Sequence, residues 1–281
     1  MSDGAVDSQV GDVHRFIDEL GPGSVVAIGG YFEQNVPMGL LRLLAERSIK
    51  ELTVVAAPSA SIGVDFLVSA GCVGEIVCPY VGFEERGPAV ATRREVSAGT
   101  VRRRPCDQEI LCAGLRAAAQ RVPFVPILTT DSDVMRDSPD VARVCCPFTG
   151  EDQEVARALT IDLALLHAQA ADRNRSLGYA GSRFMDLMFA TAARNTIATV
   201  DSWSRAESGQ WPSGSVIAGI WIDAVTELSA WPAASQGRYP ADGAAIDSYI
   251  AAEKNVPGSG STSLAAPGER ASRATTPGGP A

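Results

Sequence analysis

Short apolar runs rich in β-branched residues alternate with longer amphipathic stretches along most of the chain. The runs that we predict as strands cover residues 24–28, 52–56, 75–78, 123–128, 161–166, 195–200 and 215–222. The stretches with helical spacing cover residues 37–47, 108–121 and 182–194. This alternation is typical of βα units. The sequence therefore predicts an α/β fold, a mostly parallel open sheet with helices on both faces.

The same pattern ends near residue 255. From Val256 onward the sequence consists mainly of Pro, Gly, Ser, Thr and Ala, a composition that buries too little apolar surface to offset the entropy of ordering. We expect residues 1–255 to form a single α/β domain and residues 256–281 to be a disordered tail.

Composition and charge narrow the choice of partners. Of the 281 residues, 46% are hydrophobic and 20% are charged, with a formal net charge of −9. An acidic chain is poorly suited to nucleic acid or to anionic lipid, because both attract clustered Lys and Arg. The run Arg102-Arg103-Arg104 is short, and we interpret it as a solvated loop or strand edge, with contact to an acidic ligand such as the phosphates of coenzyme A as the alternative.

No apolar stretch approaches the roughly 20 residues that span a bilayer, and residues 1–9 are polar and acidic. We therefore expect no membrane association and a cytoplasmic protein. Two histidines and six scattered cysteines without a CxxC pair make a metal site or a disulfide framework unfavourable, so we expect buried, reduced thiols.

Few residues stand out as candidates for chemistry. Gly29-Gly30 directly follows a predicted buried strand, where glycine permits either a tight turn or the close approach of a ligand. GxGxxG, GxxxxGK[ST] and GxSxG are all absent from the sequence, which disfavours nucleotide-binding and Ser-His-Asp hydrolase sites. His167 follows a predicted strand, and we interpret it as a hydrogen-bonded packing residue.

Three glutamates lie near predicted strand ends. We interpret Glu84 and Glu85 as solvated loop residues. Glu109 begins a predicted helix, where an acid is favoured by the helix dipole, and it would act as a base only if it were desolvated.

Five segments, in matching order, resemble the A (α) subunit of family I CoA-transferases, especially the glutaconate CoA-transferase α-like branch. The resemblance covers roughly residues 10–230. It rests on the Gly-Gly-Tyr-Phe turn at 29–32 with Pro37, the strand at 52–55, the Tyr-Val-Gly segment at 80–82, the helix start at 107–111 with Arg116 and the Val-Pro-Phe at 122–124, and the His-Ala…Ala-Asp strand end at 167–172.

The resemblance implies a CoA-transferase-like fold and a two-chain enzyme with its active site at the subunit interface, in an α₂β₂ or larger assembly. The family's nucleophile is a glutamate of the β subunit in a Ser-Glu-Asn-Gly type segment, which this chain lacks. The chain would then contribute no catalytic residue, and it would bind an acyl-CoA thioester and a carboxylic acid as substrates, without a permanently bound cofactor.

The resemblance also suggests which residues position the substrates. Gly29 and Gly30 would allow close approach at the interface, and the amide of Gln108 would bind a carboxylate or thioester oxygen. Tyr80 and Glu109 are further candidates for substrate or CoA binding.

Two alternatives stay open. In a CoA-thioester ring-opening hydrolase of the same fold, of the steroid-catabolism type, a glutamate of the α-type chain acts as base at the position that resembles Gln108. Glutamine cannot accept a proton, so that role would fall to Glu109 here. The departures at Pro79, Phe83 and 174–176 would instead suit a non-catalytic scaffold.

Overall fold

The computed structural model describes residues 13–128, 132–204 and 215–256. Its helices are α1 (Met38–Glu46), α2 (Ile62–Ser69), α3 (Val90–Ala98), α4 (Gln108–Ala119), α5 (Asp133–Asp137), α6 (Asp186–Ala192) and α7 (Gly243–Lys254). Its strands are β1 (Val25–Ile28), β2 (Leu52–Ala56), β3 (Ser59–Ala60), β4 (Val73–Val77), β5 (Tyr80–Val81), β6 (Arg102–Arg103), β7 (Phe124–Pro126), β8 (Val141–Cys145), β9 (Asp152–Arg157), β10 (Ile161–Ala171), β11 (Leu177–Tyr179), β12 (Ala193–Trp203), β13 (Ser215–Ile217) and β14 (Ala224–Glu227). Residues 13–18 are also helical.

A central sheet carries the fold. Its parallel part has the strand order β14-β12-β10-β1-β2-β4-β6, and β11 and β13 extend the end of β10 in antiparallel pairing. The mostly parallel sheet predicted from the sequence is thereby confirmed.

Alternate residues of the central strands face two separate cores. In β1, Val26 and Ile28 belong to the core that includes α1, α2, α3 and α7, whereas Ala27 belongs to the core that includes α4 and α6. β10 alternates in the same way between Leu163 and Ala164. Because both faces of these strands are buried, the strands read as continuous apolar runs. The predicted placement of helices on both faces is confirmed.

Several predicted boundaries were wrong. The predicted strand at 123–128 shrinks to β7, which pairs with β9 in a separate antiparallel sheet of order β7-β9-β8. The strand predicted at 215–222 ends at Ile217 and is followed by a 3₁₀ turn at Gly219–Trp221. Helices α2, α3 and α7 were not predicted, because small or charged residues interrupt their apolar faces.

The described ranges contain no helix that is long and apolar enough to cross a membrane. α7 ends at Lys254, and residues 257–281 of the predicted tail lie outside the described residues. The single domain over residues 1–255 stays a prediction.

Candidate functional site

The turn after β1 lies where the order of the parallel strands reverses. From β1 the sheet grows through β2 and β4 on one side and through β10 and β12 on the other. Gly29 continues the pairing with β10, since its amide donates to the Leu165 carbonyl at 2.8 Å. Open α/β sheets bind ligands at the carboxyl ends of their strands at such a reversal. This position makes the Gly29-Gly30 turn the first candidate for a site.

Both glycines are required by their surroundings. A Cβ on Gly30 would lie 2.5 Å from the Gln34 carbonyl oxygen, and the residue has a φ of +86°. A Cβ on Gly29 would lie 2.8 Å from Oδ1 of Asp186. A side chain at either position would collide with neighbouring atoms, so both positions require glycine.

Asp186, the first residue of α6, lies buried behind this turn. Its Oδ1 accepts a 2.9 Å hydrogen bond from the Gly30 amide, and its Oδ2 accepts one of 2.9 Å from the Tyr179 hydroxyl. Burial raises the pKa of Asp186 to about 7, although both hydrogen bonds act in the opposite direction. Burial and the neighbouring Asp186 carboxyl also raise the pKa of Tyr179.

In front of the turn lies a small pocket that is partly open to solvent. None of the residues that line it is charged. They are Ile28, Gly29, Gly30, Tyr31, Phe32, Val36, Ala56, Ala57, Ser59, Ala60, Ser61, Gly63 and Val64. The two glycines predicted as site residues therefore line a neutral, mostly apolar pocket at the carboxyl ends of the parallel strands.

Aromatic rings follow one another along the edge of this pocket. The ring of Tyr31 stacks on Phe184 with centroids 5.2 Å apart and meets Phe32 edge-on at 5.0 Å. Phe32 in turn meets Tyr80 edge-on at 6.4 Å. The pairing of Ser59 with Tyr80 in the small β3–β5 sheet brings Tyr80 here. Tyr80 thus contacts Phe32, which lines the same pocket as Gly29 and Gly30, but Tyr80 is not itself among the lining residues.

Gln108 and Glu109 begin α4. This helix follows β6, the strand that pairs with β4. Asp107 caps this helix by accepting a hydrogen bond from the Ile110 amide at 2.8 Å. The side chain of Gln108 is exposed, and that of Glu109 is 41% exposed and lies 3.4 Å from Arg116. In the described part of the chain, no hydrogen bond links either side chain to the Gly29-Gly30 turn.

The thiols of Cys78 and Cys106 show that α4 starts close to the end of β4. Burial raises the pKa of Cys106 to about 12, with the nearby Cys78 as the next cause. The Cys78 thiol also donates to the carbonyl of Ala57, just after β2, at 3.0 Å. Not all thiols are buried as predicted, because Cys145 is exposed and Cys112 and Cys146 are only partly covered.

Sequence reasoning missed a buried polar cluster at the ends of β10 and β12. Its centre is His167, whose Nδ1 lies 2.9 Å from the Thr199 hydroxyl and whose Nε2 lies 3.3 Å from the Ser235 hydroxyl and 3.5 Å from Oδ1 of Asp201. Ser235 also donates to the Asp201 carboxylate. The interpretation of His167 as a hydrogen-bonded packing residue is confirmed.

Gln169 extends this cluster toward the turn. Its amide donates to Oδ1 of Asn35 and to Ser235, both at 2.9 Å. Asn35 also accepts the Gln236 amide at 3.1 Å, so the cluster ties the loop after β1 to residues 235–236. The only sequence signal for these residues is a polar side chain within an apolar run. Residues on the surface give the same signal.

All three side chains of the arginine run at 102–104 form ion pairs or hydrogen bonds within the chain. Arg102 and Arg104 pair with the buried Glu75, and Arg103 donates to the Pro79 carbonyl at 2.8 Å. This agrees with the strand edge favoured above, since Arg102–Arg103 is β6. Glu84 and Glu85 are exposed, as expected. The described ranges contain no group of three or more His, Cys, Asp or Glu side chains that could hold a metal ion.

The family model of coenzyme A transferases matches residues 12–228, and the chain belongs to this family. The IpdA subunit of the cholesterol ring-cleaving hydrolase of Rhodococcus jostii is 31% identical over 196 residues, which cover 66% of this chain and 65% of the relative. The match thus spans slightly less than two thirds of that relative's length.

Two solved structures share the fold. The decarboxylase AibA/AibB aligns with a TM-score of 0.76 and 29% identity, covering 87% of this chain and 93% of that one. Glutaconate coenzyme A-transferase of Acidaminococcus fermentans aligns with a TM-score of 0.77 and 23% identity, covering 86% and 83%. The α-type chain of that transferase is 24% identical over 250 residues, which cover 81% of this chain and 77% of the relative. The resemblance to α-type chains noted from the sequence is confirmed.

Proposed function

We propose that this chain is the α subunit of a heteromeric CoA-transferase that moves CoA between an acyl-CoA and a carboxylic acid. The observation that carries the proposal is the Gly29-Gly30 turn, which lines a neutral pocket at the strand reversal of a chain that belongs to the coenzyme A transferase family. Its substrates are an acyl-CoA thioester and an acid, and it needs no permanently bound cofactor.

A β subunit supplies the nucleophile in this proposal, because the chain lacks a Ser-Glu-Asn-Gly segment. The β-chain carboxylate attacks the thioester carbonyl and forms a mixed anhydride with release of CoA thiolate. The thiolate then attacks the glutamyl carbonyl of the anhydride, which releases the first acid and leaves an enzyme-bound CoA thioester. The acceptor carboxylate attacks that thioester and repeats both steps in reverse, so that the new acyl-CoA leaves and the free carboxylate returns.

The α chain positions these groups. Gly29 and Gly30 allow substrate and partner backbone to come close, and Tyr80 packs against Phe32, which lines the same pocket. The exposed amide of Gln108 is free to donate to a thioester or carboxylate oxygen once the partner covers it. Glu109 lies beside Gln108 on the same helix end and is a weaker CoA-binding candidate. We expect an α₂β₂ or larger assembly.

Trapping the covalent intermediate tests the proposal. The chain is co-expressed with a β-type subunit from the same genome, and the purified complex is incubated with acyl-CoA and then with borohydride. Mass spectrometry is expected to find one β-chain glutamate reduced to its alcohol. Consumption of acyl-CoA without any reduced glutamate would contradict the transferase.

The hydrolase of the same fold is the second candidate, because the Rhodococcus jostii relative at 31% identity is named as a subunit of one. In that case Glu109 is the base, and the partner must bury a carboxylate that is 41% exposed in this chain. Turnover without an adduct, abolished by Glu109→Gln, would favour it. Absence of both complex and turnover would favour a non-catalytic scaffold.

A further inference from the structure

The row formed by Phe184, Tyr31, Phe32 and Tyr80, here called the aromatic row, comes from three separate parts of the chain. Tyr31 and Phe32 belong to the loop after β1, Tyr80 begins β5, and Phe184 lies just before α6. Each ring is at least partly exposed although it contacts its neighbour. The row therefore forms a connected aromatic surface that is partly exposed to solvent.

The backbone holds two of these rings in an unfavourable conformation. Phe32 has a φ of +48° and Phe184 a φ of +45°, a region that bulky side chains rarely occupy. The Phe32 amide donates to the Ser59 carbonyl at 2.9 Å, and the Phe32 carbonyl accepts from the Ser61 hydroxyl at 2.6 Å. Strain of this kind persists where surrounding contacts enforce it, and it gathers at ligand sites.

The charged groups near the row form hydrogen bonds within the chain, but Arg103 and Arg183 do so with backbone carbonyls and keep their positive charge. Glu33, next to Phe32, pairs with Arg86 at 3.3 Å. Arg103 donates to the backbone before Tyr80, and Asp186 faces the back of the turn rather than the pocket. Among the described residues, no cationic side chain lines the pocket and could bind a carboxylate at the far end of an acyl group. A carboxylate that moved into the pocket would lose its water of hydration without gaining an ion-pair partner.

We infer that the aromatic row and the neutral pocket select an acyl-CoA whose acyl group is apolar at its far end, rather than one that carries a terminal carboxylate. This inference rests on the proposed function and names its substrate class. The acyl chain lies against the exposed parts of the aromatic row, and the thioester lies toward the Gly29-Gly30 turn. Aliphatic and ring-bearing acyl groups fit this surface equally in chemical terms.

Two thioesters with five-carbon acyl groups test the inference. Pentanoyl-CoA ends in a methyl group, and glutaryl-CoA ends in a carboxylate at the same position. With the complete α–β complex, kcat/KM for consumption of pentanoyl-CoA is expected to exceed that for glutaryl-CoA by about tenfold or more. Equal values, or a preference for glutaryl-CoA, would overturn the inference and leave the transferase itself intact.

Variants then locate the preference. Tyr31→Ala and Phe184→Ala are each expected to lower the pentanoyl preference about three- to tenfold, mainly through KM. Tyr31→Phe, which keeps the ring, is expected to retain the preference that Tyr31→Ala loses. Phe148→Ala removes an aromatic ring that is 95% exposed on the β8–β9 hairpin, and it serves as the matched control with an unchanged preference.

Two further outcomes separate this inference from the proposed function. If Tyr31→Ala and Phe184→Ala dissociate the complex in analytical ultracentrifugation, the row is a contact between subunits and the inference fails. If the complex consumes neither thioester, calorimetric titration with the same two thioesters decides the substrate class, and the borohydride trap with other acyl-CoA thioesters tests the proposed function separately. Equal affinities there would overturn the inference as well.

Discussion

The amide of Gly30 donates a 2.9 Å hydrogen bond to the carboxyl of Asp186, a residue 156 positions later in the chain. Neither atom is exposed, and the Cβ that Gly29 lacks would occupy the space next to the same carboxyl oxygen. The shape of the turn beside the pocket therefore depends on a titratable group that does not itself line the pocket.

The first prediction concerns pH. Because burial raises the pKa of Asp186 to about 7, the folded chain keeps this proton between about pH 4 and 7, while the unfolded chain releases it. The contribution of Asp186 to the free energy of unfolding is therefore full at low pH and is lost as pH rises through about 7. The loss is on the order of 4 kcal/mol at most. Urea unfolding at intervals from pH 4 to 8 measures it.

Asp186→Asn removes this titration and keeps the shape, so its stability is expected to vary less over that range than the stability of the native chain. The Tyr179 hydroxyl is hydrogen-bonded to the same carboxyl, and Arg183 lies near Tyr179. Asp133→Asn, which changes an exposed acid, is the control and is expected to leave the pH dependence as it is. Identical slopes for the native chain and Asp186→Asn would contradict the raised pKa.

A second prediction separates backbone strain from collision. Gly23 and Gly30 have similar φ values of +82° and +86°, but only Gly30 has atoms within 4 Å of where a Cβ would be. Gly23→Ala is expected to lower the free energy of unfolding by about 1 kcal/mol, from the conformation alone. Gly30→Ala is expected to cost about 3 kcal/mol or more, because the Gln34 carbonyl must also move. Chemical unfolding compares the two, and equal losses would contradict the collision.

The polar cluster around His167 gives a third prediction. His167→Leu removes one hydrogen-bond partner from each of the buried Thr199 and Ser235 hydroxyls, which keep other partners, and a loss of about 1–3 kcal/mol in unfolding free energy is expected. Ser235→Ala alone is expected to cost less. In a double-mutant cycle the two changes should be non-additive by about 0.5–3 kcal/mol. Simple additivity would show that the two side chains are not energetically coupled.

β1 shows how much of the structure can be predicted from the sequence. Its apolar run and the two glycines after it predict a buried strand and a close-packed turn, and both are present because local residues determine them. Asp186 was not identified, since an acid in the first turn of a helix is ordinary and only the fold brings it to Gly30. Asn35 and Gln169 were missed for the same reason, because contacts across the sheet leave no local pattern.

The antiparallel sheet of β7, β8 and β9 shows a different limit. β8 reads Val-Ala-Arg-Val-Cys and is mostly exposed or half-buried, so its sequence lacks the buried alternation that marks a strand. The sheet forms because β9 pairs with both neighbours, and pairing partners far along the chain are not readable from one segment.

A fourth prediction distinguishes the two residues at the start of α4. If the chain is part of a transferase, Gln108→Ala is expected to lower kcat/KM of the complex about 10- to 100-fold, through loss of a donor to the thioester oxygen. Glu109→Gln is expected to change it less than about threefold, since that carboxylate is 41% exposed and lies near Arg116. Steady-state kinetics of the two complexes decides. The reverse ranking would support the hydrolase.

The central position of β1 also dictates when the turn can be completed during synthesis. β1 leaves the ribosome early, but its second neighbour β10 begins at Ile161, and Asp186 follows later still. Until then the partner groups of Gly29 and Gly30 do not exist, and one side of an apolar strand remains uncovered. Such long-range pairing slows folding and exposes nascent chains to aggregation. The surroundings of β1 are therefore completed only when residues from the second half of the chain have been synthesised.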